Sequence, residues 1–133
     1  MERRGNDTAV RAPGKRAYDL ARRTRGFGAD IVAYARRIAV SPVTRPLISQ
    51  LVRAGTSVGA NYCEADGAES RKDFRHRIAI CRREARETCY WLDMLASAVS
   101  AQPAEHGRLV KEAKELVLIF SASMRTLSDP DRQ

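Results

Sequence analysis

The stretch Leu47–Ala96, LISQLVRAGTSVGANYCEADGAESRKDFRHRIAICRREARETCYWLDMLA, narrows the folds open to this chain more than any other. Two long amphipathic patterns meet there at a short polar turn, DGAES. Leu47, Leu51, Ala54, Val58, Tyr62 and Ala65 form one apolar stripe, and Phe74, Ile78, Cys81, Ala85, Thr88, Leu92, Leu95 and Val99 form the next. Both follow the three- and four-residue spacing of a helix with one buried face. A short link between two such helices makes them antiparallel neighbours. Gly67 is expected to end the first in the left-handed conformation. Ser70 should cap the second, with Asp73 as the acidic arm of a capping box. No Pro or Gly follows Ser70 until Pro103, which predicts one long helix with Phe74 buried between its neighbours.

Similar stripes flank this pair. Phe27, Ile31, Tyr34, Ala35 and Ile38 predict a first helix from about Phe27 to Val40, ended by Ser41-Pro42, because a residue before proline avoids the helical region. Pro46 suits the first turn of the second helix, with Thr44 or Arg45 near its cap. After Pro103, Leu109, Ala113, Leu116, Val117, Phe120, Met124 and Leu127 predict a last helix stopped by Asp129-Pro130. Leu118 and Ile119 lie off that stripe and suggest a second buried side. Gly55 and Gly59 mark either a flexible spot or the close approach of another helix backbone. The expected architecture is all-α, an antiparallel up-down-up-down four-helix bundle over residues 27–129. A three-helix arrangement stays open if the first helix docks loosely.

A chain of 133 residues can bury a core of its own. Its 44% hydrophobic and 30% charged residues are those of a globular protein. No apolar run has the length of a membrane span, and the N-terminus lacks the apolar segment of a secretory signal. The three cysteines are an odd number, and Cys81 and Cys89 stand about 12 Å apart along one helix, too far to pair. A reduced, cytoplasmic protein is expected. The net charge of +8 favours a polyanionic partner. Residues 1–26 carry eight Lys or Arg against three acids, broken by Gly5, Pro13, Gly14 and Gly26. They read as a basic arm, flexible at least to Gly14, with a helical turn or two between Ala17 and Arg25. Such an arm is either a solvated terminus or a segment that folds onto a phosphate backbone.

No catalytic, metal or cofactor constellation stands out. Glu84 and Glu87 could pair as catalytic carboxylates, or supply half of a di-metal bundle site, but the Glu-x-x-His motifs such a site needs are missing. Ion pairs with Arg53, Arg77 or Arg83 are the better reading. His76 and His106 are isolated, and Cys63, Cys81 and Cys89 lack zinc-ligand spacing. A non-enzyme is therefore expected. The long helix has two further faces. Ile80, Trp91 and Met94 form a second apolar stripe, either a subunit interface or the broad edge of the core. Arg71, Lys72, Arg75, Arg82, Arg83 and Arg86 gather on another flank, either a solvated face or, with Arg22 and Arg23 of the arm, a nucleic-acid surface.

The words QLVRAGTSVGANYCEA (Gln50–Ala65), SRKDF (Ser70–Phe74) and EARETCYWLDML (Glu84–Leu95) resemble, in order and spacing, the four-helix-bundle family encoded in intervening sequences of bacterial 23S ribosomal RNA. The resemblance covers about residues 27–127. Its signature positions fall on Arg53, Ser57, Asn61, Glu64, Ser70, Phe74, Glu84, Glu87, Thr88 and Trp91, which look structural. It implies a homopentameric ring. A related branch, the accessory protein of diversity-generating retroelements, binds nucleic acid and a reverse transcriptase. The long basic arm and Cys63 depart from the family pattern. The leading expectation is a non-enzymatic, oligomeric bundle that binds RNA or DNA. The alternative is an accessory subunit that serves a protein partner such as a reverse transcriptase.

Overall fold

The computed structural model describes residues 15–100 and 103–128, with side chains from Asp19 onwards. They form four helices: α1, Lys15–Ala35; α2, Thr44–Asp66; α3, Arg71–Ala98; and α4, His106–Ser128. Each packs on its sequence neighbour, and α1 closes the ring against α4 with the smallest contact. Contacts run in opposite senses along every adjacent pair. Thr24 meets Gly59 while Ile31 meets Gly55. Asn61 meets Arg77 while Arg53 meets Glu84. Arg71 reaches Leu127 while Leu92 meets His106. The bundle is therefore up-down-up-down, as the short links required.

The four predicted stripes make the core. Ile31, Tyr34, Leu51, Val58, Ile78, Leu92, Leu95, Leu109, Leu116 and Phe120 are the large side chains fully inside it. The Tyr62 and Phe120 rings meet across the centre with centroids 6.3 Å apart. Cys81 is buried and points its thiol at the Val58 carbonyl, 3.5 Å away. Burial pushes that thiol up to about 12, so it stays protonated and unreactive. Phe74 departs from expectation. It faces the core but is only half-buried, because it sits in the first turn of α3, at the very end of the bundle. Leu118 is another departure. At 68% exposed it belongs to no second buried side of α4.

α1 begins at Lys15, twelve residues before the expected start at Phe27, and ends at Ala35 rather than Val40. Half of the supposed basic arm is thus helix; the rest, residues 1–14, lies outside the described residues. Leu20 and Thr24 extend the stripe of Phe27 and Ile31 backwards, and all four are buried. The Thr24 hydroxyl is satisfied in place, donating to the Leu20 carbonyl at 2.8 Å. Gly26 does not break the helix; it lies on the outer surface with nothing within 4 Å of where a Cβ would stand.

Gly55 and Gly59 do mark a close approach, and the partner is α1. A Cβ on Gly55 would stand 2.8 Å from an Ile31 methyl, and one on Gly59 would stand 3.1 Å from the Thr24 carbonyl oxygen. Gly55→Ala is therefore expected to destabilise by about 1–3 kcal/mol through overpacking. Gly26→Ala should stabilise by up to about 1 kcal/mol, because it only improves helix propensity. Urea denaturation of the two variants checks the pair. Equal and small changes would show that α1 sits further from α2.

The helix ends show what local chemistry can do. Ser70 caps α3 as predicted, its Oγ accepting from the Asp73 N–H at 3.0 Å. Ser41 proves to be the cap of α2 rather than merely the end of α1. Its Oγ accepts from the Thr44 N–H at 3.0 Å, and Thr44 Oγ1 accepts in return from the Ser41 N–H at 2.8 Å. Thr44 Oγ1 also donates to the Ala39 carbonyl at 2.7 Å, which ties the α1–α2 link to the helix it starts. The capping box is reciprocal, with threonine where glutamate is usual, and Pro42 occupies the first-turn position where its missing N–H costs nothing. Gly67 is not left-handed: its φ is −99° and its N–H bonds the Glu64 carbonyl at 3.2 Å, a tightened last turn open to any residue.

Candidate functional site

The α2–α3 seam carries a polar ladder. Arg53 of α2 donates to Glu84 Oε1 at 3.0 Å and to Glu87, and its Nε donates to Gln50 at 3.0 Å. Glu84 is the critical member, because its side chain is only 8% exposed. Arg83 approaches its other oxygen at 3.5 Å. Two turns along, Asn61 accepts from Arg77 at 3.1 Å and donates to the Ser57 carbonyl at 2.9 Å. Ser57 and Thr88 turn their hydroxyls back onto the Arg53 and Glu84 carbonyls, at 2.6 and 2.7 Å. Arg53, Ser57, Asn61, Glu84, Glu87 and Thr88 therefore act as one structural assembly. The two carboxylates are held by guanidinium groups and not by each other. Glu64 is exposed and outside this ladder. Among the described residues no group of three His, Cys, Asp or Glu is placed to hold a metal ion.

The predicted cations divide into two sets. Arg71 donates to the Leu127 carbonyl at 3.2 Å, and Arg75 to Ser128 Oγ at 3.0 and 3.2 Å. Both place positive charge at the C-terminal end of α4, where the helix dipole favours it. Arg23 grips Glu112 at 2.6 Å and Glu115 at 2.8 Å, and with the Arg108–Asp30 pair at 3.1 Å it fastens α1 to α4. Arg83 is engaged by Glu84. Lys72, Arg82, Arg86 and Arg22 have no side-chain partner among the described residues. Arg82 and Arg86 stand one turn apart on the α3 surface that faces α4.

Across from them, α4 supplies Lys114, which periodicity did not single out, beside Val117 and Leu118. Arg86, Cys89, Lys114, Val117 and Leu118 line a shallow depression of about 400 Å³ between the two helices. Lys114 is exposed and unpaired, so two free cations flank an apolar floor. Leu118 lying off its stripe was the signal available for this placement. Ile80, Trp91 and Met94 are each half-buried along the outer α2 side of α3. Trp91 Nε1 is buried without a hydrogen-bond partner among the described residues.

A small helical bundle with a ladder of polar groups on one seam and free cations on another is the class that fold and surface define. The chain belongs to the 23S rRNA-intervening sequence protein family, whose model matches residues 17–122. That match begins within the first turn of α1, ten residues ahead of the start inferred from sequence words alone. A crystal structure of a protein of unknown function from the S23 ribosomal protein family of Bacteroides thetaiotaomicron shares the fold, with a TM-score of 0.71. It is 24% identical, over 82% of this chain and 97% of that one. No curated protein matches the chain. No helix among the described residues is long and apolar enough to cross a membrane.

Proposed function

We propose that this protein is a non-enzymatic, oligomeric bundle that binds RNA or DNA through the α3–α4 face. The observation that carries the reading is the set of unpaired cations there, Arg82, Arg86 and Lys114, on a chain of net charge +8. Stability needs none of these three charges, whereas Arg23, Arg71, Arg75 and Arg83 are occupied within the fold. Phosphate contacts release counterions, so affinity should fall with rising salt, by about 0.9 logarithmic unit per tenfold salt for each contact, and depend little on sequence. The family resemblance supports a ring, a homopentamer, and repetition of the patch would raise modest single-site affinity by avidity. Ile80, Trp91 and Met94 are the proposed subunit contact. Ile80→Glu should then give smaller particles in light scattering, and a wild type that is monomeric at high micromolar concentration would overturn that assignment.

The binding test is a filter-binding titration with structured RNA and duplex DNA at low and physiological salt. Arg82→Ala with Arg86→Ala should weaken retention and flatten the salt dependence while leaving the melting temperature unchanged. Deleting residues 1–14 should weaken it further. No retention by the wild type at low salt would remove the nucleic-acid reading. A second reading, an accessory subunit for a protein such as a reverse transcriptase, draws support from the exposed Leu118 beside Val117 and Cys89. An apolar floor of this kind suits a protein surface better than a phosphate.

A further inference from the structure

Tyr90 is a large aromatic side chain one helical turn beyond the unpaired Arg86 and left open to solvent. It stands in the C-terminal half of α3 and is 53% exposed. Its ring is braced by Trp91 in an edge-on contact, with centroids 4.9 Å apart and planes at 79°. Trp91 is itself packed against the core, so the tyrosine ring is held on a rigid base rather than lying loose on the surface. Arg86 lies one turn before Tyr90 on the same surface of the helix, and Arg82 one turn before that. Glu87, almost one turn before Tyr90, is held by Arg53, and Asp93, almost one turn beyond it, is exposed, so the unpaired positive charge near the ring is that of Arg86. No hydrogen bond holds the Tyr90 hydroxyl among the described residues, so the ring's position owes nothing to its polar end.

We infer that Tyr90 is a base-stacking position, and that this face holds a single strand more tightly than a duplex. The inference rests on the nucleic-acid reading above and adds to it the form of the ligand. A strand whose phosphates lie on Arg82 and Arg86 brings a base within reach of the ring one turn further along. Bases in a duplex are already stacked and paired, so a ring projecting from a helix surface cannot reach their faces; in a single strand each base offers one. Every base has such a face, so stacking adds affinity without adding sequence preference.

The test uses the full chain and fluorescence anisotropy at low salt, with a labelled oligouridylate and an RNA duplex of equal length. Tyr90→Ala should weaken oligouridylate binding by about 5- to 100-fold and leave duplex binding unchanged. Tyr90→Phe should bind like the wild type, because the ring and not the hydroxyl stacks. The Arg82→Ala/Arg86→Ala variant should lose affinity for both probes. If Tyr90→Ala binds oligouridylate as the wild type does while the double arginine variant does not, the stacking role is wrong and the phosphate surface stands. If the wild type binds neither probe, both fall together. Equal loss on both probes with a smaller particle mass in light scattering would make Tyr90 a subunit contact and overturn the inference.

Discussion

Phe120→Ala is expected to destabilise the bundle by about 3–5 kcal/mol. The ring is completely buried and meets Tyr62 across the centre of the molecule, so its removal leaves a cavity that four helices would have to shift together to fill. Against a total stability of order 5–15 kcal/mol, that loss brings the protein close to unfolding at physiological temperature. Phe74→Ala is the instructive partner. The residue type is the same and the helical phase is also core-facing, yet the ring is half-buried at the end of the bundle. Its loss should cost only about 1–2 kcal/mol, in proportion to the apolar area it hides. Urea denaturation midpoints of the two variants, at matched slopes, give the comparison. Equal losses would mean that the bundle extends beyond the first turn of α3.

The second large effect is expected from Arg53→Met. Glu84 would then keep a side chain only 8% exposed with Arg83, 3.5 Å away, as its remaining cation. An uncompensated buried charge costs about 3–5 kcal/mol, and the Arg83 contact should hold this case near the lower end. Adding Glu84→Leu should recover most of the loss, because the unpaired charge goes with it and the hole is filled by an apolar side chain. The coupling between the two changes, read from a double-mutant cycle, measures the interaction itself. A single Arg53→Met variant as stable as the wild type would mean that water reaches Glu84. Removing the exposed partner, through Glu87→Ala, should cost much less, about 0–1 kcal/mol.

Much of this was visible in the residues. The stripes of α2, α3 and α4 were legible because their apolar positions recur without interruption, and the Ser70 cap because Ser-x-x-Asp is a local device. The start of α1 was hidden by chemistry that looks like an ending. Thr24 interrupts the apolar stripe unless its hydroxyl is known to be satisfied by Leu20, and Gly26 resembles punctuation unless it is known to face outwards. Ser41 was read as a stop because a residue before proline usually is one; here the same preference starts the next helix. The helical phase of the cation flank said nothing of occupancy. Which arginines are taken depends on the register between α3 and α4, which delivers Leu127 and Ser128 to Arg71 and Arg75 and leaves Arg82 and Arg86 alone. No periodicity within one helix contains that information. Lys114 was missed for the same reason.

The glycine seam between α1 and α2 behaves like a vernier. On α2 the two notches, Gly55 and Gly59, are four residues apart, about 6 Å along the helix; on α1 the groups they admit, Ile31 and Thr24, are seven apart, about 10 Å. Unequal spacings on the two rules coincide at one setting. Sliding α1 by a turn would bring Phe27 and Leu20 to the two glycines in one direction and the small Ala35 and Gly28 in the other, so the notches would be overfilled or left empty. A helix hydrophobic along one face could otherwise settle in several positions of similar energy. Two missing side chains, each costing about 1 kcal/mol of helix propensity, remove that choice and fix where the α1 charges stand relative to everything else on the surface.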